Sequence, residues 1–245
     1  MANEKTALLI PCYNEEECIG PVIDSITAAL PEMYLVIVND ASTDRTAEIV
    51  RTRAGNNGHV ILLDLPVNLG IGGAVQTAFR YAAQNDFDYA VKVDGDGQHP
   101  SDQIECLLGP LKKGEADMVI GSRFLEKTGF QSTFCRRVGI LFFQMLNRLL
   151  TGQTITDSTS GFRAYNRQAL QFNSLWYPSF DYPEPEEVVL FAKNGFRIRE
   201  IPVVMTFRQG GRSSINLKRA VYYMCKVTFA SIIAATRRRE RKSSC

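Results

Sequence analysis

Tyr89-Ala90-Val91-Lys92-Val93-Asp94-Gly95-Asp96-Gly97-Gln98 is the stretch whose reading decides the fold. Tyr89 to Val93 reads as a buried strand, and the polar turn after it carries two carboxylates and an amide. That places them at the carboxyl end of a parallel sheet, where open α/β sheets bind ligands. Hard oxygen ligands beside small glycines suit Mg²⁺ or Mn²⁺, which one or two carboxylates hold while phosphate oxygens fill other positions. The competing reading is an Asx/Gly turn that merely ends a strand. A D-x-D alone does not separate the two.

The surrounding sequence has the rhythm of a doubly wound sheet. Upstream, Ala7-Leu8-Leu9-Ile10, Leu35-Val36-Ile37-Val38 and Val60-Ile61-Leu62-Leu63 are short apolar strands. Helical spacing over Glu15 to Leu30, from Ser42/Thr43 through Arg53 and over Gly70 to Gln84 alternates with them. Downstream come a helix over Asp102 to Lys113 and a strand at Met118-Val119-Ile120. Such alternation predicts an α/β fold with a mostly parallel sheet and helices on both faces. After Arg123 the rhythm changes. Phe134 to Leu150 is an amphipathic helix, Ser160-Gly161-Phe162-Arg163 a turn and Glu186 to Lys193 a helix. Phe196 to Phe207 is strand-like around Pro202, and Ile215 to Arg239 is a closing helix. No composition break forces a second domain. The division expected is a catalytic unit over 1–215 and an amphipathic helix with a basic tail over 216–245.

Composition adds bounds. The chain has 245 residues, 45% apolar and 22% charged, with a formal net charge of +2, which is ordinary for a globular protein. Its six cysteines are scattered without a C-x-x-C pair, which argues against a zinc site or a disulfide framework and fits reduced thiols in a cytosolic protein. No segment reads as a signal peptide, and none reaches the roughly 18 uninterrupted apolar residues of a spanning helix. Basic residues crowd the end (Arg237, Arg238, Arg239, Arg241, Lys242) rather than one face, which gives nucleic-acid binding little support.

Polar residues recur at the other strand ends. Pro11-Cys12-Tyr13-Asn14-Glu15 follows the first strand and Asn39-Asp40-Ala41-Ser42-Thr43-Asp44 the second. Tyr13 offers a ring to stack on a base, and Asp40 an acceptor for a base N–H. Helix capping by Asn14 and Ser42 is the plainer alternative. Asn68-Leu69-Gly70-Ile71-Gly72-Gly73 is glycine-rich but lacks both the dinucleotide spacing and the Walker lysine. It serves either close approach to a diphosphate or tight helix–strand packing. Arg123, Arg163 and Arg208 each stand near glycines, and guanidinium groups match phosphate oxygens bidentately. Arg136 and Arg137 open the apolar stripe Ile140, Leu141, Phe142, Phe143, Leu146 and Leu149. That stripe is either core or the approach to a phosphate at a membrane surface.

Taken in order, Ile10-Pro11-Cys12-Tyr13-Asn14-Glu15-Glu16, Val38-Asn39-Asp40-Ala41-Ser42-Thr43-Asp44, Asn68-Leu69-Gly70, Asp94-Gly95-Asp96-Gly97-Gln98-His99-Pro100, Gly121-Ser122-Arg123, Ser160-Gly161-Phe162-Arg163 and Arg208-x-x-Gly211-x-Ser213 resemble family 2 glycosyltransferases of the GT-A fold. The resemblance is to the polyprenyl-phosphate branch that includes dolichol-phosphate mannose synthases. It implies that Pro11, Tyr13, Glu15 and Asp40, with Asp94 and Gly95, bind the nucleotide, and that Asp94, Asp96 and Gln98 hold the metal. It further implies catalytic roles for Asp96, Arg123 and Arg208, and an acceptor side built from Arg137, Ser160, Arg163 and Glu184. The family often carries a lysine where this chain has Ser214, and Arg212 and Lys218 are the candidates to replace it.

The resemblance implies an inverting displacement on a nucleotide-diphosphate sugar. A lipid-phosphate acceptor brings an anionic oxygen, since the second pKa of such a group is about 6, and needs no general base. A sugar hydroxyl needs a carboxylate, for which Asp181-Tyr182-Pro183-Glu184-Pro185-Glu186-Glu187 supplies the candidates. These acids also suit the start of a helix dipole. A lipid acceptor calls for contact with an anionic membrane surface from the cytoplasmic face. The closing segment (Val221, Tyr222, Met224, Cys225, Phe229, Ile232, Ile233) is suited to that, or to packing on the domain. A silent membrane-recruited module and a nucleotidyltransferase are the alternatives from other classes. The paired aspartates argue against the first, and the absence of a basic glycine-rich loop after the first strand argues against the second.

Overall fold

The computed structural model describes residues 4–55, 57–125, 134–178, 181–205 and 217–237, with only the backbone described at 134–138 and 217–221. The chain runs β1 (Thr6–Cys12), α1 (Ile19–Ala29), β2 (Tyr34–Asn39), α2 (Thr46–Ala54), β3 (Val60–Asp64), α3 (Gly70–Gln84) and β4 (Tyr89–Lys92). There follow α4 (Ile104–Lys112), β5 (Met118–Ser122), α5 (Phe134–Thr151), β6 (Arg163–Asn166), α6 (Arg167–Trp176), α7 (Glu184–Lys193), β7 (Ile198–Pro202) and α8 (Leu217–Thr236).

Seven strands form one sheet in the order β3-β2-β1-β4-β6-β5-β7. β1, β2, β3 and β4 run parallel, β6 is antiparallel to both β4 and β5, and β7 is parallel to β5. β1 and β2 are apolar along their length because helices cover both faces, as parallel sheets require. Alternate residues serve opposite layers. Leu8, Ile10, Leu35 and Ile37 pack with α1, Val50 of α2 and the apolar side of α4. Ala7, Leu9, Val36 and Val38 pack with Ala74, Ala78 and Ala82 of α3, Leu170 of α6 and Phe191 of α7. The small side chains of α3 bring it close to the sheet.

The expected mixed α/β architecture is present, with two additions. The stretch ending at Arg163 leads into β6, and α6 follows it directly, started by the Asn166 side chain accepting from the Ala169 N–H. α8 lies against the body. Tyr223 makes edge contacts with Phe143 of α5 and with Tyr182, Val227 and Ala234 are buried, and Lys226 pairs with Asp181 at 3.0 Å.

Candidate active site

The strand order reverses direction at β1, since chain-successive strands extend from β1 to β2 and β3 on one side while β4 lies on the other. A doubly wound sheet opens a crevice at the carboxyl ends of the strands at such a point. The β1–β4 ladder ends with Leu9 opposite Lys92, and the Val93 N–H donates to the Leu9 carbonyl. Beyond it the strands part, with Pro11, which has no N–H to offer, on one and Asp94 to Gln98 on the other.

The loops after β1 and β2 fasten to each other. The Asn14 N–H donates to Ser42 Oγ, the Thr43 N–H to Asn14 Oδ1, the Glu15 N–H to Thr46 Oγ1 and the Glu16 N–H to Asp44. Asn14 and Ser42 therefore cap no helix. α1 and α2 start without a side-chain cap at their N-cap residues Cys18 and Arg45. Asn14 and Ala41 both adopt positive φ to make these turns. The result leaves Tyr13 standing out with 49% of its surface exposed. Asp40 is buried beside it, one carboxylate oxygen accepting from the Leu69 N–H at 2.6 Å. Burial pushes the Asp40 carboxyl above the usual carboxylate range against the opposing N–H groups of Leu69 and Gly70. The glycine-rich segment thus orients Asp40 as well as packing α3.

In the turn after β4, Asp94 is the open carboxylate, with its side chain 37% exposed, whereas Asp96 is buried and accepts from the Gln98 N–H at 3.0 Å. Gly97 has φ of 77°, a conformation glycine adopts without penalty. Gly95 lies over β1, where a β-carbon would meet Pro11 and Cys12 at 3.5 Å. Gly161 faces Asp94: a β-carbon there would stand 3.4 Å from both carboxylate oxygens and 3.7 Å from Lys92 Nζ. Two hard carboxylates beside space kept clear by glycine match what a small divalent cation requires.

Behind this floor lies a layer of paired charges. Lys92, whose side chain is 2% exposed, binds Glu184 at the start of α7. Arg163, its neighbour across the β4–β6 ladder, is wholly buried and pairs with Glu187 at 2.7 Å. Glu187 also accepts from Tyr165 and Asn173. Arg163 donates in addition to the carbonyls of Ser158 and Ser160, bracing the loop that carries Asp157. Asp157 in turn grips Arg123 through Nε at 2.7 Å and Nη2 at 2.8 Å, and Glu200 accepts from the N–H groups of Thr156 and Asp157. Burial disfavours the Arg123 charge, but the Asp157 bonds and the nearby Asp94 charge outweigh it and hold the guanidinium protonated.

Tyr13, Glu15, Asp40, Asp94, Gly95, Asp96 and Gln98 thus lie on the loops that rim the crevice, with Pro11 near the carboxyl end of β1 and Arg123 just after β5. Ser160 and Arg163 differ from expectation. Both are buried, with Ser160 accepting from the Phe162 N–H and Arg163 committed to Glu187, so in this structure they brace the 157–161 loop from behind. Glu184 sits at this edge but is paired with Lys92. Arg208, Arg212 and the side chains of Arg136, Arg137 and Lys218 lie outside the described residues. The sequence reading gave no role to Lys92, His99 or Asp157, and took Glu187 as a candidate base and not as the partner of Arg163. Lys92 had a signal, a lone charge within an apolar strand. His99 stood inside the quoted motif. Burial pushes the His99 pKa down against the pull of Asp94 and Asp96, which makes the ring neutral.

The molecule can be set beside known proteins on this geometry. The model for glycosyl transferase family 2 matches residues 7–172, from β1 into α6. Undecaprenyl-phosphate mannosyltransferase of Micrococcus luteus is 30% identical over 212 residues, covering 85% of this chain and 86% of the relative. A UDP-N-acetylglucosamine–dolichyl-phosphate N-acetylglucosaminyltransferase of Methanococcus voltae is 32% identical over 217 residues, 83% of this chain and 86% of the relative. Among solved structures, glucosyl-3-phosphoglycerate synthase from Mycobacterium tuberculosis with Mn²⁺, UDP and phosphoglyceric acid superposes with a TM-score of 0.71 at 23% identity, over 96% of this chain and 80% of that one. A mannosyltransferase from Pyrobaculum calidifontis with GDP-Man and Mn²⁺ gives 0.67 at 19%, over 95% and 65%. These two share its fold. Because the family match takes in every strand that borders the crevice, the chain belongs to glycosyl transferase family 2 and is a glycosyltransferase.

Proposed function

We propose that the protein transfers a sugar, with inversion, from a nucleotide-diphosphate sugar to a polyprenyl-type lipid phosphate, aided by Mg²⁺ or Mn²⁺. The observation that carries the acceptor assignment is the pairing of Glu184 with buried Lys92. A hydroxyl acceptor needs a carboxylate free to take its proton. The neighbouring acids are engaged too, Asp181 with Lys226 and Glu187 with Arg163. An acceptor whose oxygen is already anionic needs no such group. The names of both curated relatives specify undecaprenyl-phosphate or dolichyl-phosphate, which agrees with this reading.

On the donor side, Tyr13 stacks the base and Asp40 accepts its N–H, while Asp94 and Asp96, with the Gln98 amide, hold the cation. Among the described residues no three His, Cys, Asp or Glu side chains cluster as a metal cage. That suits an ion bound by two carboxylates and otherwise by phosphate oxygens. Such an ion, when bound, neutralises charge building on the departing diphosphate. Arg123 adds to this from a fixed place. Its Nε and Nη2 are spoken for by Asp157 and Thr159, which leaves Nη1 to meet a phosphate oxygen without reorganisation. Arg208, outside the described residues, is assigned the same task.

No helix of the described residues is long and apolar enough to cross a membrane. α5 and α8 instead carry exposed apolar residues, Leu141, Met145 and Leu149 on one and Tyr222, Phe229, Ile232 and Ile233 on the other. We assign residues 1–215 the catalysis and 216–245, with α5, a peripheral contact with anionic membrane at its cytoplasmic face. The basic tail continues from Arg237 into 238–245, outside the described residues. Basic residues near such a surface each contribute about 1 kcal/mol.

The deciding experiment compares a short-chain polyprenyl phosphate, the corresponding free alcohol and a sugar-hydroxyl acceptor, each with a panel of nucleotide sugars and Mn²⁺. Transfer to the phosphate alone is expected, with turnover of Glu184→Gln within about tenfold of wild type, less than the 10²–10⁴-fold contributed by a general base. Efficient transfer to a hydroxyl, lost in Glu184→Gln, would replace this reading with the sugar-acceptor one.

A further inference from the structure

The turn that bears Asp94 lies beyond the last rung of the β1–β4 ladder, so its main-chain amides depend on other partners. The Val93 N–H finds the Leu9 carbonyl, and the Asp94 N–H is met by Nδ1 of His99 at 2.9 Å. A main-chain amide only donates, so Nδ1 accepts, and the ring's proton resides on Nε2. The ring has one available orientation. It stacks on Phe162 at 4.5 Å between centroids and 13° between planes, with its side chain 2% exposed. Its Nε2 stands 3.5 Å from Asp94 Oδ2, longer than an ordinary hydrogen bond but with the positive end of the N–H dipole near the carboxylate. The charges that act on the ring are Asp94, Asp96, Lys92 and Arg123, the groups that surround the crevice floor.

Phe162 extends the connection. Its carbonyl accepts from the Gly121 N–H, two residues before Arg123, and it directly follows Gly161, which faces Asp94. The Phe162–His99 stack therefore ties the β4 turn to the loop opposite it.

We propose that His99 is a positioning residue: a neutral imidazole, protonated at Nε2, that holds Asp94 by its main-chain N–H and so keeps that carboxylate aimed at the divalent cation. The proposal rests on the reading of Asp94 as a metal ligand. Partners that orient a ligand in this way typically account for about 10- to 100-fold in metal affinity.

The test starts from metal-free protein titrated with Mn²⁺ and followed by the electron paramagnetic resonance of the free ion. His99→Phe keeps an aromatic ring against Phe162 but has no acceptor, and is expected to weaken Mn²⁺ binding about 10- to 100-fold. His99→Gln, whose amide oxygen accepts from the same N–H, is expected to recover most of that loss. In metal-free wild type, the imidazole ¹⁵N spectrum is expected to show a bare Nδ1 and a protonated Nε2. A folded His99→Phe variant with wild-type Mn²⁺ affinity, or a ring protonated at Nδ1, overturns the proposal. If His99→Phe does not fold, the nitrogen spectrum and the Gln variant decide it. Wild type that fails to bind Mn²⁺ saturably removes the metal reading of Asp94 and this proposal with it, an outcome distinct from a defect confined to the variant.

Discussion

The two halves of the sheet are built on different physics. On the β3-β2-β1 side, β1 and β2 are buried apolar runs and the edge strand β3 is apolar but only partly buried, with polar residues confined to the strand termini. Across β4 the interior turns ionic. Lys92 and Arg163 lie side by side on adjacent strands, with Glu184 and Glu187 reaching in from α7. Buried ion pairs contribute little net stability, because desolvation offsets most of their attraction. What they provide here is position. Arg163 braces the 157–161 loop, that loop holds Arg123, and Lys92 occupies Glu184. One half is a rigid apolar platform beneath the proposed donor loops, and the other fixes charges around the proposed reaction site.

That contrast can be broken most sharply at Asp96. Asp96→Ala is expected to lower metal-dependent turnover about 10³-fold, the several kcal/mol of charge stabilisation a divalent ion supplies. Its stability should fall by only about 1 kcal/mol, the worth of a hydrogen bond such as that from the Gln98 N–H. Retained turnover would place the ion elsewhere. Glu187→Ala reverses the pattern by leaving Arg163 buried without its partner. Denaturant unfolding should show a loss of about 3–5 kcal/mol, and a loss below 1 kcal/mol would mean the ionic layer is dispensable.

Tyr13→Ala tests the exposed rim of the donor half. Base stacking of about 1–3 kcal/mol should appear as weaker donor binding with turnover at saturation nearly unchanged. Unaltered donor affinity would remove Tyr13 from the site. The smallest effect concerns Asp117, at the outer edge of the ionic half. Burial alone would raise its pKa, but bonds from Arg197 and Asn166 outweigh that and hold the carboxyl below its usual range. A carboxyl lowered in the folded state stabilises it above the ordinary carboxylate pKa, and that contribution is lost as pH falls through the folded value. Wild type should therefore lose stability on acidification below about pH 4 more steeply than Asp117→Asn. Parallel acid limbs would show that the Arg197 pairing has no consequence.

The donor half was legible because its elements obey local rules. Apolar runs marked β1, β2 and β3, and small residues at helical spacing marked α3 over Gly70 to Gln84, where it lies. The starts of α1 and α2 were read too early, at Glu15 and Ser42/Thr43. Those residues make bonds between the two loops, and pairs some 30 positions apart leave no trace in a helical period. β6 was unreadable for a related reason. Four residues beginning with Arg163 are too short for alternation to show, and a buried arginine looks like a surface one until its partner is known.

By itself the sequence determined the alternation of strands and helices behind the layered sheet and the placing of Tyr13, Asp40, Asp94, Asp96 and Arg123 just past strand ends, because burial periodicity and strand-end motifs are local properties of the chain. Only the tertiary structure decided that Arg163 supports the site from below, that Glu184 is held by Lys92, that His99 carries Asp94 and that α8 both packs and exposes an apolar face. Each of these depends on which distant groups are brought together in a medium without water. There a charge or an amide must find its complement, and the complement is chosen by the fold and not by its distance along the chain.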